Sequence, residues 1–405
     1  MPNSGSAFAS AQAAWRFYAN PATMLPTLAR PLIDAARDAL RLEAAGVALV
    51  ALDWTRLDYG DHASKKDRVA LQNKHDLGYK LLTALCLSDR SGAPLAPVCM
   101  ELKAADGLHS TRHDKVVRAP SALDGLAPVM AHVTAMKLGV PPVFIVDREA
   151  DSVLHFRAWN DAGHRFVVRA DSEPKVTHAG ESKALKQAAA EVGLKFRRDV
   201  EIDRVPARQY VGETTVVLER AASPHRTTRG KRVKQRIAGK ALELRLVVSE
   251  LRDEQGRVLS RWLLLTNLPP DVDAAIIALW YYWRWRIETY HKLLKSSGQQ
   301  VQRWQQDDAD TLAKRLLVSA MACVVVWRLA REASTEASQL RHLLVRLSGR
   351  QMDRSRNTRG YTEPALLAGL ERLLPMLALL EEIPLKKLRE LARSVLPADW
   401  FPATG

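Results

Sequence analysis

The spacing of apolar positions changes repeatedly along this chain, and each change predicts a different kind of element. Up to about residue 45, in NPATMLPTLARPLIDAARDALRLEAAG, apolar side chains recur at helical spacing between prolines, which predicts short helices broken at those prolines. From 47 the pattern contracts to apolar runs bounded by turn residues: VALVALD (47 to 53), GYKLLTALCLS (78 to 88) and APVCMEL (96 to 102). Helical periodicity returns over 122 to 139, before the buried-type strands PPVFIVD (141 to 147) and RFVVRA (165 to 170). Three strands, a helix, a strand, a helix and a strand predict a mixed α/β sheet. From about 171 to 268, YVGETTVVLE, LELRLVVSEL and VLSRWLLLTN alternate apolar and polar side chains, predicting a β-rich stretch. After Pro270 the period is helical almost to the end, as in DTLAKRLLVSAMACVVVWRLA and EPALLAGLERLLPMLALLEEI.

Composition sharpens this picture by pointing to a partner. The 405 residues carry a formal charge of +15, an excess of cations that favours a polyanion, nucleic acid before an acidic membrane. No apolar run is long enough to span a bilayer and no signal peptide opens the chain, so the expectation is a soluble cytoplasmic protein with no membrane partner. Cys86, Cys99 and Cys323 have no paired spacing and read as reduced, buried thiols. The basic run PHRTTRGKRVKQR (224 to 236), with Arg229, Lys231, Arg232 and Lys234, reads either as a solvated loop or as one that tracks phosphates.

Two predicted strands end in an acid, Asp53 and Asp147. A carboxylate at the end of an interior strand leaves the sheet edge, where it suits a metal or ligand site or caps the next turn. A third acid, Glu288, stands in YYWRWRIETYHKLLK (281 to 295). On a continuous helix turning about 100° per residue, Tyr281, Arg284, Glu288 and Lys295 share a stripe roughly 60° wide, with Trp283, Trp285 and Ile287 left to anchor the helix to the core. An i, i+4 pair would explain Arg284 and Glu288 alone, but not the Tyr and Lys beside them. If Glu288 packs beside Asp53 and Asp147, the three repelling carboxylates suit Mg2+ or Mn2+, and such ions suit in-line displacement at phosphorus.

With these residues in view, the chain resembles the IS4-family DDE transposases, and among them the Tn5-like ones. Their Y-x2-R-x3-E-x6-K signature is met by Tyr281, Arg284, Glu288 and Lys295, and their D-R-E-A-D segment by Asp147 to Asp151. The resemblance implies an α/β fold: an RNase H-like catalytic core with a β-rich insertion and a helical C-terminal region. It implies a metal-binding catalytic triad of Asp53, Asp147 and Glu288, with Asp58 a near competitor for the first place. It further implies that Tyr281, Arg284 and Lys295 grip phosphates, that Arg169 contacts end DNA, and that Trp262 stacks a flipped base. Read from its own strand, Trp262 shares a face with Leu264 and belongs to the core. Lys292 joins this basic set.

The expected organisation is an N-terminal helical segment over 1–46 with a shortened end-recognition domain, a core in two parts over 47–170 and 269–335, and the insertion over 171–268. A helical region over 336–405 would carry a dimer contact. The expected activity is Mg2+- or Mn2+-dependent cleavage and strand transfer of an insertion sequence, cut-and-paste through a hairpin, by a homodimer on transposon-end and target DNA in the nucleoid. Two alternatives stand beside it: a shortened regulator that binds full-length transposase, and an RNase H-fold nuclease without transposition.

Overall fold

The computed structural model describes residues 7–113, 119, 121–202, 205–222, 225–228, 231–234, 236–350 and 360–395. Helices α1 (Ala7–Ala19) and α2 (Leu25–Glu43) lead the chain. The expectation that prolines break this region is corrected: α2 runs through both Pro26 and Pro31 for 19 residues. Pro26 lies in the first turn, where its missing N–H has no helical partner, and the helix buries Leu25, Ala29, Leu32, Ala36 and Leu40 along one face.

Strands β1 (Ala48–Asp58), β2 (Val69–Ala70), β3 (Leu77–Ser88), β4 (Pro94–Lys103) and β5 (Leu108–Ser110) follow as an antiparallel set. Helix α3 (Leu126–Ala135) crosses to β6 (Pro142–Val146), and α4 (Val153–Asp161) to β7 (Arg165–Arg169). These crossovers make β6 parallel to both β1 and β7. The order β4-β3-β1-β6-β7 leaves β1 and β6 interior, which is why Leu49, Val50, Ala51 and Val143 to Val146 are buried.

The β-rich stretch holds β8 (Lys175–His178), β9 (Glu181–Ala184), α5 (Leu185–Ala190), β10 (Lys195–Ile202) and β11 (Val205–Leu218). Beyond them lie β12 (His225–Thr228), β13 (Lys231–Lys234), β14 (Leu242–Arg252) and β15 (Val258–Thr266). It is continuous with the core: β15 pairs antiparallel with β7, Leu264 opposite Arg169, so one 13-stranded sheet runs through both regions. Strand β11 is long enough to pair with β14 along its length, with β10 over its first half and with β8 near its end. Among the described residues β12 and β13 form a separate two-stranded ribbon.

Helices complete the fold: α6 (Ala274–Trp283), α7 (Trp285–Lys292), a π-helical turn over Leu293–Ser297, α8 (Ala309–Arg331), α9 (Thr335–Ser348), α10 (Glu363–Glu382) and α11 (Leu385–Val395). Asp273, Asp308, Ser334 and Thr362 each accept a backbone N–H of the first turn of the helix they precede. Cys86, Cys99 and Cys323 are buried thiols not joined in disulfides. Among the described residues no helix is long and apolar enough to cross a membrane. The first turns of α10 bury Ala365, Leu366 and Leu367, whereas Leu374, Met376, Leu377 and Leu379 near its end are exposed.

Candidate active site

The parallel pairing of β1 with β6 sets Leu52 opposite Val146. The next residues, Asp53 and Asp147, therefore stand at the same level on neighbouring strands, whose backbones are about 4.8 Å apart. Asp53 is partly buried and its Oδ1 accepts the Trp54 N–H at 2.8 Å. Burial pushes its carboxyl up to about 7; Arg284 and the Trp54 N–H oppose the rise, while the charges of Asp147 and Glu288 add to it. Asp147 accepts the Glu149 N–H at 2.9 Å, so it also caps the turn that follows its strand. Asp58 lies five residues past Asp53, exposed, with its carboxylate on the Gly60 N–H at 3.0 Å. Asp151 turns instead to the Asp171 N–H at 2.7 Å and toward Arg220 at 3.8 Å.

The third acid arrives on a helix that is not continuous. α6 ends at Trp283, α7 begins at Trp285, and the π-helical turn begins at Leu293, so the single stripe expected over 281 to 295 is interrupted twice. Glu288 is half-exposed and its Oε1 accepts from Arg284 Nη2 at 2.8 Å. The i, i+4 pair is thus present, and it is partly buried because Arg284 is almost fully enclosed. Nε and Nη1 of Arg284 are buried with no hydrogen-bond acceptor among the described residues, and its guanidinium lies 5.7 Å from the Tyr281 ring and 5.5 Å from that of Trp285. Lys295 donates to Thr55 Oγ1 at 2.7 Å, tying the π-helical turn to β1 two residues beyond Asp53. Burial lowers the Lys295 ammonium below the usual lysine range, with Arg56 adding to the fall and Asp53 opposing it.

Three expectations change here. Tyr281 and Arg284 are buried rather than open to phosphate: Tyr281 packs edge-on against Trp262, with ring centroids 5.5 Å apart. Trp262 is 4% exposed beneath α6, so in this conformation it is core and not an open platform for a base. Its strand parity explains this: Trp262 is opposite Ser249, on the same face as Leu264, and that face is covered. Trp285, expected in the core, is 50% exposed, whereas Ile287 is fully buried: two residues apart on a helix they face nearly opposite sides, so only one of them can meet the core.

Of the remaining basic residues, Lys292 is exposed on α7, and Arg169 lines a cavity of about 260 Å3 with Arg148, Lys186 and Arg261. Arg229 lies outside the described residues. Lys231, Arg232 and Lys234 are on β13, with only their backbone described.

Sequence reasoning missed His291, whose Nδ1 is 3.8 Å from Asp53 Oδ2 and whose Nε2 is 3.4 Å from Thr83 Oγ1. Burial, with Lys295 and Arg284 nearby, lowers its pKa to about 3, so this imidazole is neutral beside the acid. The signal was spacing: His291 follows Glu288 by three and Ile287 by four, which returns it to the core side of α7. Gly92 was also missed. Its φ is +65°, and a Cβ there would run into the Trp283 ring, so glycine lets the β3–β4 turn carry the end of α6.

Hard carboxylate oxygens on the middle of β1 and just past the end of β6, with a third acid close enough to raise Asp53, are the donor type a divalent cation takes. In this conformation Glu288 faces Arg284, and among the described residues no three His, Cys, Asp or Glu side chains are gathered closely enough to hold an ion. No protein-family model matches the chain, and no curated protein is similar enough to it to count as a relative.

Proposed function

We propose that this chain is a DDE transposase of the Tn5-like kind, with an RNase H-like core, acting on double-stranded DNA at element ends and on target DNA. The observation that carries the reading is the placing of Asp53 and Asp147 level on adjacent parallel strands, with Glu288 electrostatically coupled to Asp53 from α7. The run of antiparallel strands joined to two parallel ones supports the core, and the insertion that continues its sheet supports the remainder.

Asp53, Asp147 and Glu288 would hold Mg2+ or Mn2+. Bound there, the ions supply the Lewis acidity for in-line attack of water or a 3′-hydroxyl at phosphorus. The chain's own part is positioning. Arg284 holds Glu288 and shares the attraction of Asp53 from its buried position, so it orients the acid. Neutral His291 packs against Asp53 without adding charge, and Lys295 fixes the turn after α7 to Thr55. Lys292 is the exposed cation of the set, and Arg169 is half-buried. The exposed leucines of α10 support a homodimer, which would bring two DNA ends together.

The test is strand cleavage of DNA carrying the element's own ends, in Mg2+. Wild-type protein should nick these ends, and Glu288→Gln should bind them within about an order of magnitude of wild type while cleaving none. Retained cleavage by Glu288→Gln would contradict the assignment, and cleavage indifferent to end sequence would point to a nuclease without transposition.

A further inference from the structure

The insertion sheet has two unlike faces. One lies under α6 and takes Trp262, Gln209 and Ser249 into the interior. On the other face four side chains stand directly opposite one another on four consecutive strands: Phe196 on β10, Tyr210 on β11, Glu250 on β14 and Arg261 on β15. Three interstrand steps of about 4.8 Å make this row about 14 Å long.

Its outer end is aromatic. Phe196 is 51% exposed on a strand whose neighbouring side chains, Lys195 and Arg197, are charged and open to solvent. Its ring meets that of Tyr210 edge-on with centroids 5.8 Å apart, and the Arg252 guanidinium lies over Tyr210 at 4.5 Å. Its inner end is cationic. Glu250 is buried and reaches Arg252 at 2.7 Å and Arg261 at 3.3 Å, so one acid holds two guanidiniums in line and leaves a net positive charge. Arg261 then borders the cavity shared with Arg148, Arg169, Lys186 and the acid Asp171, and Arg148 directly follows Asp147.

We infer that this row binds an unpaired stretch of DNA, bases stacked on Phe196 and Tyr210 and phosphates on Arg252 and Arg261, and leads it to the strand end that carries Asp147. Duplex DNA hides its base faces in its own stack and can use only the guanidiniums. A single strand presents both chemistries in the alternation the row offers, and stacking on an aromatic face is indifferent to base identity. The inference rests on the DNA reading above and adds to it a substrate form and a path.

The test is equilibrium binding of the full chain, by fluorescence anisotropy at fixed salt, to a labelled blunt duplex and to the same duplex carrying a single-stranded arm. Wild type should bind the armed DNA more tightly. Phe196→Leu keeps an apolar side chain without a π face; it should leave the melting temperature and blunt-duplex affinity unchanged and weaken the armed complex by about tenfold or more. Arg252→Gln should lower the salt dependence of the armed complex more than that of the blunt one. An arm that adds no affinity in wild type, or equal weakening of both complexes by Phe196→Leu, overturns the row and leaves the transposase reading standing. Wild-type protein that binds neither DNA overturns both.

Discussion

The acids of the candidate site are mounted in two different ways. Asp53 lies on β1 and Asp147 directly after β6, one residue past the last registered pair of these buried parallel strands, so the backbone sets their level. Glu288 stands on a short helix between a break and a π-helical turn, and its carboxylate is held by Arg284. The strand side is preset and the helix side is adjustable. Two acids on a rigid sheet can wait for a cation despite their repulsion, whereas the third is neutralised by a guanidinium until something draws it across.

The largest expected effect breaks the helix mount from below. Trp262 is buried against α6, so Trp262→Ala should cost about 3–5 kcal/mol of stability, read as a fall in denaturation midpoint. It should depress every reaction step together. Loss of one step with unchanged stability would return Trp262 to the role of a base platform.

A smaller effect comes from the turn that supports Trp283. Gly92→Ala adds a Cβ at positive φ against that indole and should destabilise by about 2 kcal/mol, while leaving the strand side intact. Hydrogen exchange should show looser protection in α6 and α7 with β1 and β6 unchanged; uniform loosening would deny that the two mounts are separable.

The smallest effect sharpens the strand side through pH. Because the folded Asp53 carboxyl is raised to about 7, the native state binds more protons than the unfolded state from the ordinary carboxylate range up to that pH. Stability from this group therefore falls as pH rises through that window. Without divalent cations, Asp53→Asn should melt a few degrees above wild type at pH 8, and the gap should close as pH falls to the ordinary carboxylate range. With Mn2+ present the order should reverse, since only wild type gains binding energy. A pH-independent gap would mean that Asp53 is not raised.

The strand side was far more legible in the sequence than the helix side. PPVFIVD forms β6, which ends at Val146 with Asp147 just past it, whereas VALVALD is corrected: β1 runs on to Asp58 and Asp53 stays in the sheet opposite Thr83, because β3 continues beside it where β6 has stopped. The stripe over 281 to 295 assumed one unbroken helix. Its composition gives no sign of the break at Arg284 or the extra residue in the turn at Leu293, because both are set by packing against β1 and the β3–β4 turn rather than by local propensity. The same long-range causes hid β10 and the row across the insertion sheet, since KFRRDVEI looks like a charged loop until it pairs with β11.

The most direct test of the account is Mn2+ binding, followed by the loss of the free-ion electron paramagnetic resonance signal, in wild type, Asp53→Asn, Asp147→Asn and Glu288→Gln, each with and without end DNA. The account predicts that the two Asp variants lose affinity under both conditions, and that Glu288→Gln loses it mainly when DNA is present to draw the carboxylate from Arg284. Unchanged Mn2+ affinity in Glu288→Gln with DNA bound would make Glu288 only the ion-pair partner of Arg284, and would contradict a three-carboxylate site.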